Sequence, residues 1–148
     1  MRKVLSLILV AITFLFCLTA CKTDKYKDYH ATDMQAKSFT PSGLFFKTNT
    51  IELITDYEKY ASYHFNLDYT EGFFENNSLL VFIVMSCSSD RMEYVEIREK
   101  DGVLYPLFER KKIGKNEAVT EDFIVQSYCV EISKELEYKA GEIIYNYK

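Results

Sequence analysis

Few residues of this chain have the types and spacing that nucleophilic catalysis requires. A hydrolytic site brings together a nucleophile, a base and an orienting group, and the chain has two histidines, His30 and His64. His30 lies in a polar segment without periodicity, and helical phase places His64 at the edge of a core. Cys87 with His64 is the one conceivable thiol–imidazole pair, yet no helix start that would stabilise a thiolate is predicted at Cys87. The sequence therefore predicts no enzymatic activity.

The spacing of the residues also indicates no metal-binding site and no phosphate-binding site. No His/Cys cluster has the spacing of a zinc site, and Asp24, Asp28 and Asp33 do not form an EF-hand pattern. The five glycines form no phosphate-binding loop. We expect neither a metal nor a cofactor.

The N-terminus has the three parts of a secretory signal peptide. Arg2 and Lys3 supply positive charge, an apolar run extends from Val4 to Leu18, and small residues precede Cys21. A membrane-spanning helix needs roughly twenty apolar residues, and this run is shorter. An uncleaved membrane anchor is the less favoured alternative.

The residues around the cut site add a second prediction. The segment Leu18-Thr19-Ala20-Cys21 resembles the lipobox of bacterial lipoproteins. The resemblance implies that the Cys21 thiol receives a diacylglyceryl group and that cleavage makes Cys21 the first residue of the mature protein. Two acyl chains anchor a protein firmly in a membrane, whereas a single chain of myristoyl length gives only marginal membrane binding. We therefore expect a protein anchored through lipid on Cys21 to the extracytoplasmic face of the cell membrane.

Two cysteines then remain for the folded domain, since Cys17 leaves with the signal peptide and Cys21 carries lipid. Cys87 and Cys129 both lie in strand-like segments outside the cytoplasm, where disulfides persist. A disulfide needs Cα atoms about 4.4–6.8 Å apart, which the sequence does not fix. A Cys87–Cys129 disulfide and two buried free thiols both stay open.

The charge of the mature chain excludes one class of partner. Without Arg2 and Lys3 the chain has 16 basic and 22 acidic residues, a net charge of about −6. Nucleic acid and anionic headgroups both require clustered Lys and Arg. The run Glu109-Arg110-Lys111-Lys112 with Lys115 is either a basic patch or the solvated end of a hairpin, and the flanking Glu109 and Glu117 favour the solvated end. We expect no binding to nucleic acid.

Composition divides the chain into three parts. Residues 1–20 form the signal peptide, residues 21–36 a lipidated polar tether without periodicity, and residues 37–148 a single domain. Tyrosine and phenylalanine are abundant, with 12 and 11 copies, and tyrosine suits half-buried strands.

The first half of the domain predicts one helix and one buried strand. Thr55 to Glu58 fits a capping box, with Thr55 as the cap. Tyr57, Tyr60, Ala61 and His64 follow at helical spacing. Leu79 to Met85 contains no polar residue, which indicates a central strand covered on both faces.

The second half predicts four more strands. Lys100-Asp101-Gly102 is a turn signal between two alternating runs, and Pro106 makes the second run an edge strand or marks a bulge. Phe123 to Ile132 forms a last core strand, and residues 143–147 add a terminal one. The predicted fold class is α+β, a mostly antiparallel sheet with one short helix packed on it.

From about Ile51 to Lys134 the order of segments resembles a family of bacterial secreted domains, the C-terminal domain of protease-complex-stabilising (PrcB-like) proteins. Three segments carry the resemblance: Ile54-Thr55-Asp56-Tyr57-Glu58-Lys59-Tyr60, Phe73-Phe74-Glu75-Asn76-Asn77-Ser78-Leu79-Leu80-Val81 and Tyr128-Cys129-Val130-Glu131-Ile132-Ser133-Lys134. The chain departs from the family at residues 86–91, where many members have Gly-Gly-Tyr, and at Ser133, where a proline is common. The resemblance implies a non-catalytic domain that stabilises a partner protein.

Two functional hypotheses follow, and a hydrolase that uses His64 ranks far behind them. The first is a membrane-anchored surface lipoprotein that acts as a non-enzymatic protein-interaction or stabilising module, with an envelope or extracellular protein as partner. It requires an exposed apolar patch, which we expect near Ser86–Arg91 or on the Pro106 strand. The alternative is a small-ligand-binding lipoprotein that serves a transporter or sensor, which requires an aromatic-lined pocket.

Overall fold

Strands dominate the structure and form two sheets. The computed structural model describes residues 26, 28–41, 49–111 and 122–147. Within those residues the predicted single sheet is two sheets, and two short helices take the place of the one predicted. A sheet-dominated, largely antiparallel fold is confirmed.

The first sheet, sheet A, is built around a hairpin. Its strands are β1 (His30–Ala31), β5 (Met92–Lys100), β6 (Val103–Arg110), β8 (Lys139–Ala140) and β9 (Ile144–Asn146). The order is β1-β5-β6-β8, and β9 also pairs with β6. The β6–β8 and β6–β9 pairings are parallel, and the β1–β5 and β5–β6 pairings are antiparallel. The predicted terminal strand therefore exists, as β9.

The second sheet, sheet B, is wholly antiparallel. Its strands are β2 (Lys37–Phe39), β3 (Thr50–Ile54), β4 (Asn77–Cys87) and β7 (Phe123–Ser133), in the order β2-β7-β4-β3. All eleven residues of β4 pair with β7, from Asn77 opposite Ser133 to Cys87 opposite Phe123. The apolar run at 79–85 is thus a central strand, as predicted.

The middle of strand β4 is buried on both faces of sheet B because its alternate residues belong to two separate cores. Side chains of a strand point alternately to its two faces. Leu80, Phe82 and Val84 pack toward sheet A, whereas Leu79, Val81 and Ile83 pack toward the helices. We call these the inner and outer faces of sheet B. A polar residue on either face of β4 between Leu79 and Val84 would be buried, which explains the apolar sequence of that stretch.

The two helices cover one half of the outer face. Helix α1 (Tyr57–Ser62) and helix α2 (Phe73–Asn76) bury Tyr60 and Phe74, whose ring centroids lie 5.3 Å apart. The prediction of Thr55 as helix cap was wrong by one residue. Asp56 is the cap, and its carboxylate accepts the Lys59 amide at 2.8 Å.

The predicted hairpin turn is confirmed in detail. Asp101 and Gly102 have φ values of 53° and 75°, so both central residues of the turn are left-handed. That geometry belongs to the type I′ turn, whose twist matches the strands it joins and which favours Asp-Gly. The turn fixes the register of β5 against β6, from Lys100–Val103 onwards.

Of the two alternatives predicted at Pro106, the edge strand was wrong, whereas a register shift in β5 between Tyr94 and Glu96 does lie close by, opposite Phe108 and Leu107. Strand β6 lies inside sheet A, and Pro106 is buried opposite Ile97. The Ile97 carbonyl accepts the Thr32 amide on the β1 side, so Ile97 and Pro106 form a pair without mutual hydrogen bonds. The proline nitrogen therefore faces the gap between the end of β8 and the start of β9, where no strand hydrogen bond is lost.

Part of the predicted tether is packed on the domain. Residues 28–39 run from sheet A, where His30 pairs with Glu99, to sheet B, where Lys37 pairs with Cys129. Met34 and Ala36 pack against the core between the sheets. The packed segment thus begins before the predicted boundary at residue 37, because apolar residues spaced through its polar sequence reach the core.

Candidate functional site

An exposed group of apolar residues lies on the half of the outer face of sheet B that holds the paired ends of β4 and β7. Met85 is paired with Val125 and Cys87 with Phe123, so the four side chains share one face. Phe123 is 73% exposed and Val125 is 51% exposed, while Met85 and Cys87 are half-buried. We call these four residues the apolar patch. Contiguous exposed apolar side chains of this kind mark interaction sites more often than isolated ones do.

The backbone beside the patch is also available for pairing. Strand β2 pairs with β7 only from Ser127 to Cys129. Strand β4 lies on one side of the stretch from Phe123 to Gln126. On its other side, none of the described residues forms a strand next to this stretch. An unpaired strand edge offers amide and carbonyl groups to an extended polypeptide.

The patch occupies one of the two places where the sequence led us to expect it. Cys87 lies within the region 86–91, immediately before the 3-10 turn Ser88–Asp90, and Met85 lies one residue before that region. The other expected place, the Pro106 strand, is excluded because Pro106 is buried. The alternation of Phe123 and Val125 with the inward residues of β7 could be seen in the sequence. Their exposure could not, because it depends on how much of the outer face of sheet B the helices cover.

The two cysteines are free thiols in the structure. Cys129 pairs with Val81, which lies six residues along β4 from Cys87. A strand rises about 3.3 Å per residue, so the two cysteines are roughly 20 Å apart. A disulfide requires Cα atoms closer than about 7 Å. Of the alternatives left open by the sequence, the structure has the free thiols.

The two thiols have different environments. Cys87 is half-buried and accepts a hydrogen bond from the Ser89 hydroxyl at 3.3 Å. Cys129 is fully buried, and burial raises the pKa of its thiol. Because the thiolate is the reactive form, Cys87 is the cysteine that can react in the folded domain.

A polar network covers Cys129. The Lys37 ammonium donates to Glu131, and the Tyr69 hydroxyl donates to the same Glu131 oxygen at 2.8 Å. Hydrogen bonds from Lys37 and Tyr69 hold the pKa of Glu131 below its usual value, and burial is the main cause that raises the pKa of Tyr69. The network ties β2 and the loop before α2 to β7, and we assign it a structural role.

A cavity of about 300 Å³ lies next to the patch, at the same end of the sandwich. The Asn49 side-chain oxygen accepts the Met85 amide at 3.0 Å and the Tyr145 hydroxyl at 3.2 Å. Ser86 is 8% exposed, and its hydroxyl has no hydrogen-bond partner among the described residues. The other residues that line the cavity are Cys87, Asp90, Met92 and Tyr147. A buried hydroxyl without a partner is costly, so a bound molecule or water would stabilise this site.

A groove of about 650 Å³ lies between the two helices. Its acidic lining consists of Asp56, Glu58, Glu71 and Glu75. Lys134 also lines it, and its ammonium donates to the Phe74 carbonyl at 2.5 Å. The described part of the chain has no group of three or more His, Cys, Asp or Glu side chains that could hold a metal ion. The groove is an acidic surface, with no chemistry evident beyond charge.

The remaining residues singled out in the sequence are dispersed. Helix α1 ends at Ser62, so His64 lies in the following turn, exposed and with φ of 50°, and not on the predicted helical face. His30 is exposed on β1. Arg110 pairs with Asp90 at 2.6 Å and Lys111 with Glu93 at 3.1 Å, which neutralises the described part of the basic run.

Cys21 and the signal peptide lie outside the described residues. Among the residues that are described, no helix has the length and apolar character to cross a membrane. Searches of protein-family models, of curated proteins and of solved structures found no match to the chain.

Proposed function

We propose that this protein is a lipid-anchored, extracytoplasmic lipoprotein whose domain is a non-enzymatic protein-interaction or stabilising module, and that the apolar patch binds the partner. The observation that carries the proposal is the exposure of Phe123 and Val125, at 73% and 51%, beside a strand edge that no described residue pairs. The resemblance of residues 51–134 to the PrcB-like family supports the same function.

The chemistry of the patch defines the partner. Residues on one face of a strand offer side-chain contacts, and the edge of β7 from Phe123 to Gln126, which no described residue pairs, offers hydrogen bonds. An extended segment with apolar side chains at alternate positions would satisfy both, by adding a strand next to β7. We therefore propose an envelope or extracellular protein with such a segment as the partner.

Two experiments test this proposal. Crosslinking in intact cells, followed by pull-down of the domain and mass spectrometry, should yield one dominant stoichiometric protein. The absence of any reproducible protein would end the interaction hypothesis. Replacement of Cys21 by Ala should move the protein from the membrane pellet to the soluble fraction, and an unchanged pellet would refute the anchor.

A second candidate function is the binding of a small ligand in the 300 Å³ cavity. The observation that favours it is the buried, unpartnered hydroxyl of Ser86. Ligand pockets occupy about 300–1,000 Å³, so this one suits a small molecule. A compound that binds there should raise the melting temperature of the wild type and not of Ser86→Ala. The exposed Ser38→Ala is the matched control and should keep the shift; equal shifts in all three proteins would reject the site.

A further inference from the structure

The described chain enters the domain at one end of the sandwich. Strand β1 places His30 opposite Glu99, next to the β5–β6 turn. Tyr29 packs edge-on against Tyr105, with ring centroids 4.8 Å apart, and the Lys100 ammonium lies 5.1 Å from the Tyr29 ring centroid. These contacts fix residues 29–31 at the turn end of sheet A, which we call the proximal end.

The apolar patch lies at the opposite end. Phe123 is opposite Cys87, the last residue of β4, and the turn Ser88–Asp90 leads directly to Met92, the first residue of β5. Glu99 is seven residues further along β5. A strand rises about 3.3 Å per residue, so roughly 23 Å separates the patch end from the proximal end. We call the patch end the distal end.

The length of chain before the domain limits how far the proximal end can lie from a lipid on Cys21. Tyr26 is the fifth residue after Cys21, and five extended residues span at most about 18 Å. Given the proposed lipidation, the proximal end is therefore held close to the membrane surface. The distal end lies roughly 23 Å further along the sandwich.

In the described residues, charge gives the distal end no attraction to the bilayer. The mature chain has about six more acidic than basic residues. At the distal end Arg110 and Lys111 are paired with Asp90 and Glu93. Anionic headgroups attract clustered unpaired Lys and Arg, so the described residues at this end do not complement the surface of the bilayer.

From this geometry we infer that the apolar patch is presented to a protein beyond the membrane surface, and that its occupant is an extended segment of that protein and not the bilayer. The inference rests on the proposed lipid anchor and on the patch being the binding site. It narrows the partner to a protein whose binding segment lies outside the membrane.

The orientation can be measured with the full lipidated chain in vesicles of phosphatidylcholine and phosphatidylglycerol. Lys139→Cys provides an exposed proximal labelling site, and Asp122→Cys an exposed distal one. Both are made in a Cys87→Ser background, where Cys129 is buried and unreactive. A quencher attached to the headgroups should quench a fluorophore at position 139 several-fold more than one at position 122. Equal quenching, or stronger quenching at 122, would overturn the inference.

Two further readouts separate the possible failures. If the chain does not float with the vesicles, or if Cys21→Ala floats equally, the anchor is wrong and the inference falls with it. A photoactivatable residue at Val125 should give a protein adduct in intact cells. A lipid adduct at Val125, or no adduct, would overturn the assignment of the occupant even if the anchor holds.

Discussion

Cys87 and Phe123 are paired at the ends of β4 and β7, where a half-buried thiol lies beside the most exposed large apolar side chain of the described residues. The same two strands are fully buried a few residues away, under the helices. The outer face of sheet B is therefore core at one half and surface at the other. That change along one pair of strands is the basis of the proposed binding surface.

The close packing of Gly141 gives a prediction about stability. A Cβ atom at this position would lie 2.6 Å from Tyr105 Cε1 and 2.9 Å from the Leu104 carbonyl oxygen. The Gly141 amide donates to that same oxygen, so the backbone cannot move away without losing the bond. Overpacking costs about 1–3 kcal/mol, and we expect Gly141→Ala to lose that much free energy of unfolding in urea titrations.

Gly72→Ala is the matched control, since its Cβ would approach no heavy atom closer than 4.0 Å. This substitution should change stability by less than about 0.5 kcal/mol. Equal losses in the two variants would show that the strand β6 does not pack against residue 141 as described.

Thiol reactivity should distinguish the two cysteines of the domain. In a chain with Cys17→Ala and Cys21→Ala, we expect one thiol to react rapidly in the native state, because Cys87 is accessible and Cys129 is buried. The Cys129 thiol should react only after the protein has been unfolded, with no reductant added. An unfolded, unreduced protein with no reactive thiol would indicate a disulfide and contradict the register of β4 against β7.

Glu131 should make stability depend on pH in the acid range. Its pKa is lowered in the folded protein, chiefly by the hydrogen bond from Lys37 and then by that from Tyr69. A carboxyl group whose pKa is lowered by folding stabilises the folded protein. This stabilisation is complete at pH values above the pKa of the unfolded chain, near 4.5, and is lost as the pH falls through the pKa of the folded protein. Glu131→Gln should therefore be less stable than wild type near neutral pH and lose less stability below about pH 4.5.

The control for this measurement is Glu135→Gln, an exposed glutamate in the turn after β7. Its acid unfolding profile should follow that of the wild type. If Glu131→Gln also follows the wild type, the network over Cys129 does not contribute to stability. The contribution is expected to be modest, because the Lys37–Glu131 pair is largely exposed.

The sequence predicted the strands better than their arrangement. The run 79–85 and the Asp101-Gly102 turn carry local signals, namely continuous apolarity and left-handed turn residues, and both were confirmed. The division into two sheets depends on β7 pairing with β4 instead of β6, a contact between distant residues that no local pattern encodes. Pro106 was misassigned because its missing amide faces a gap between β8 and β9 that only the assembled sheet reveals.

The candidate site was predictable in part. Its location near residues 86–91 was expected, but the exposure of Phe123 and Val125 required knowing that the helices stop short of them. The unpartnered Ser86 hydroxyl and the role of Asn49 in the neighbouring cavity had no sequence signal apart from the left-handed tolerance of asparagine at φ of 60°.

The most direct test of the central claim is a binding measurement with the crosslinked partner and two matched valine variants. Val125 in the patch and Val95 on β5 are similarly exposed, at 51% and 46%. A lysine at either position is a surface change and should leave stability within about 0.5 kcal/mol. If the patch binds the partner, Val125→Lys should weaken affinity at least about tenfold, or about 1.4 kcal/mol, while Val95→Lys binds as the wild type does. Unchanged binding of Val125→Lys, or an equal loss in both variants, would contradict the assignment of the patch as the binding surface.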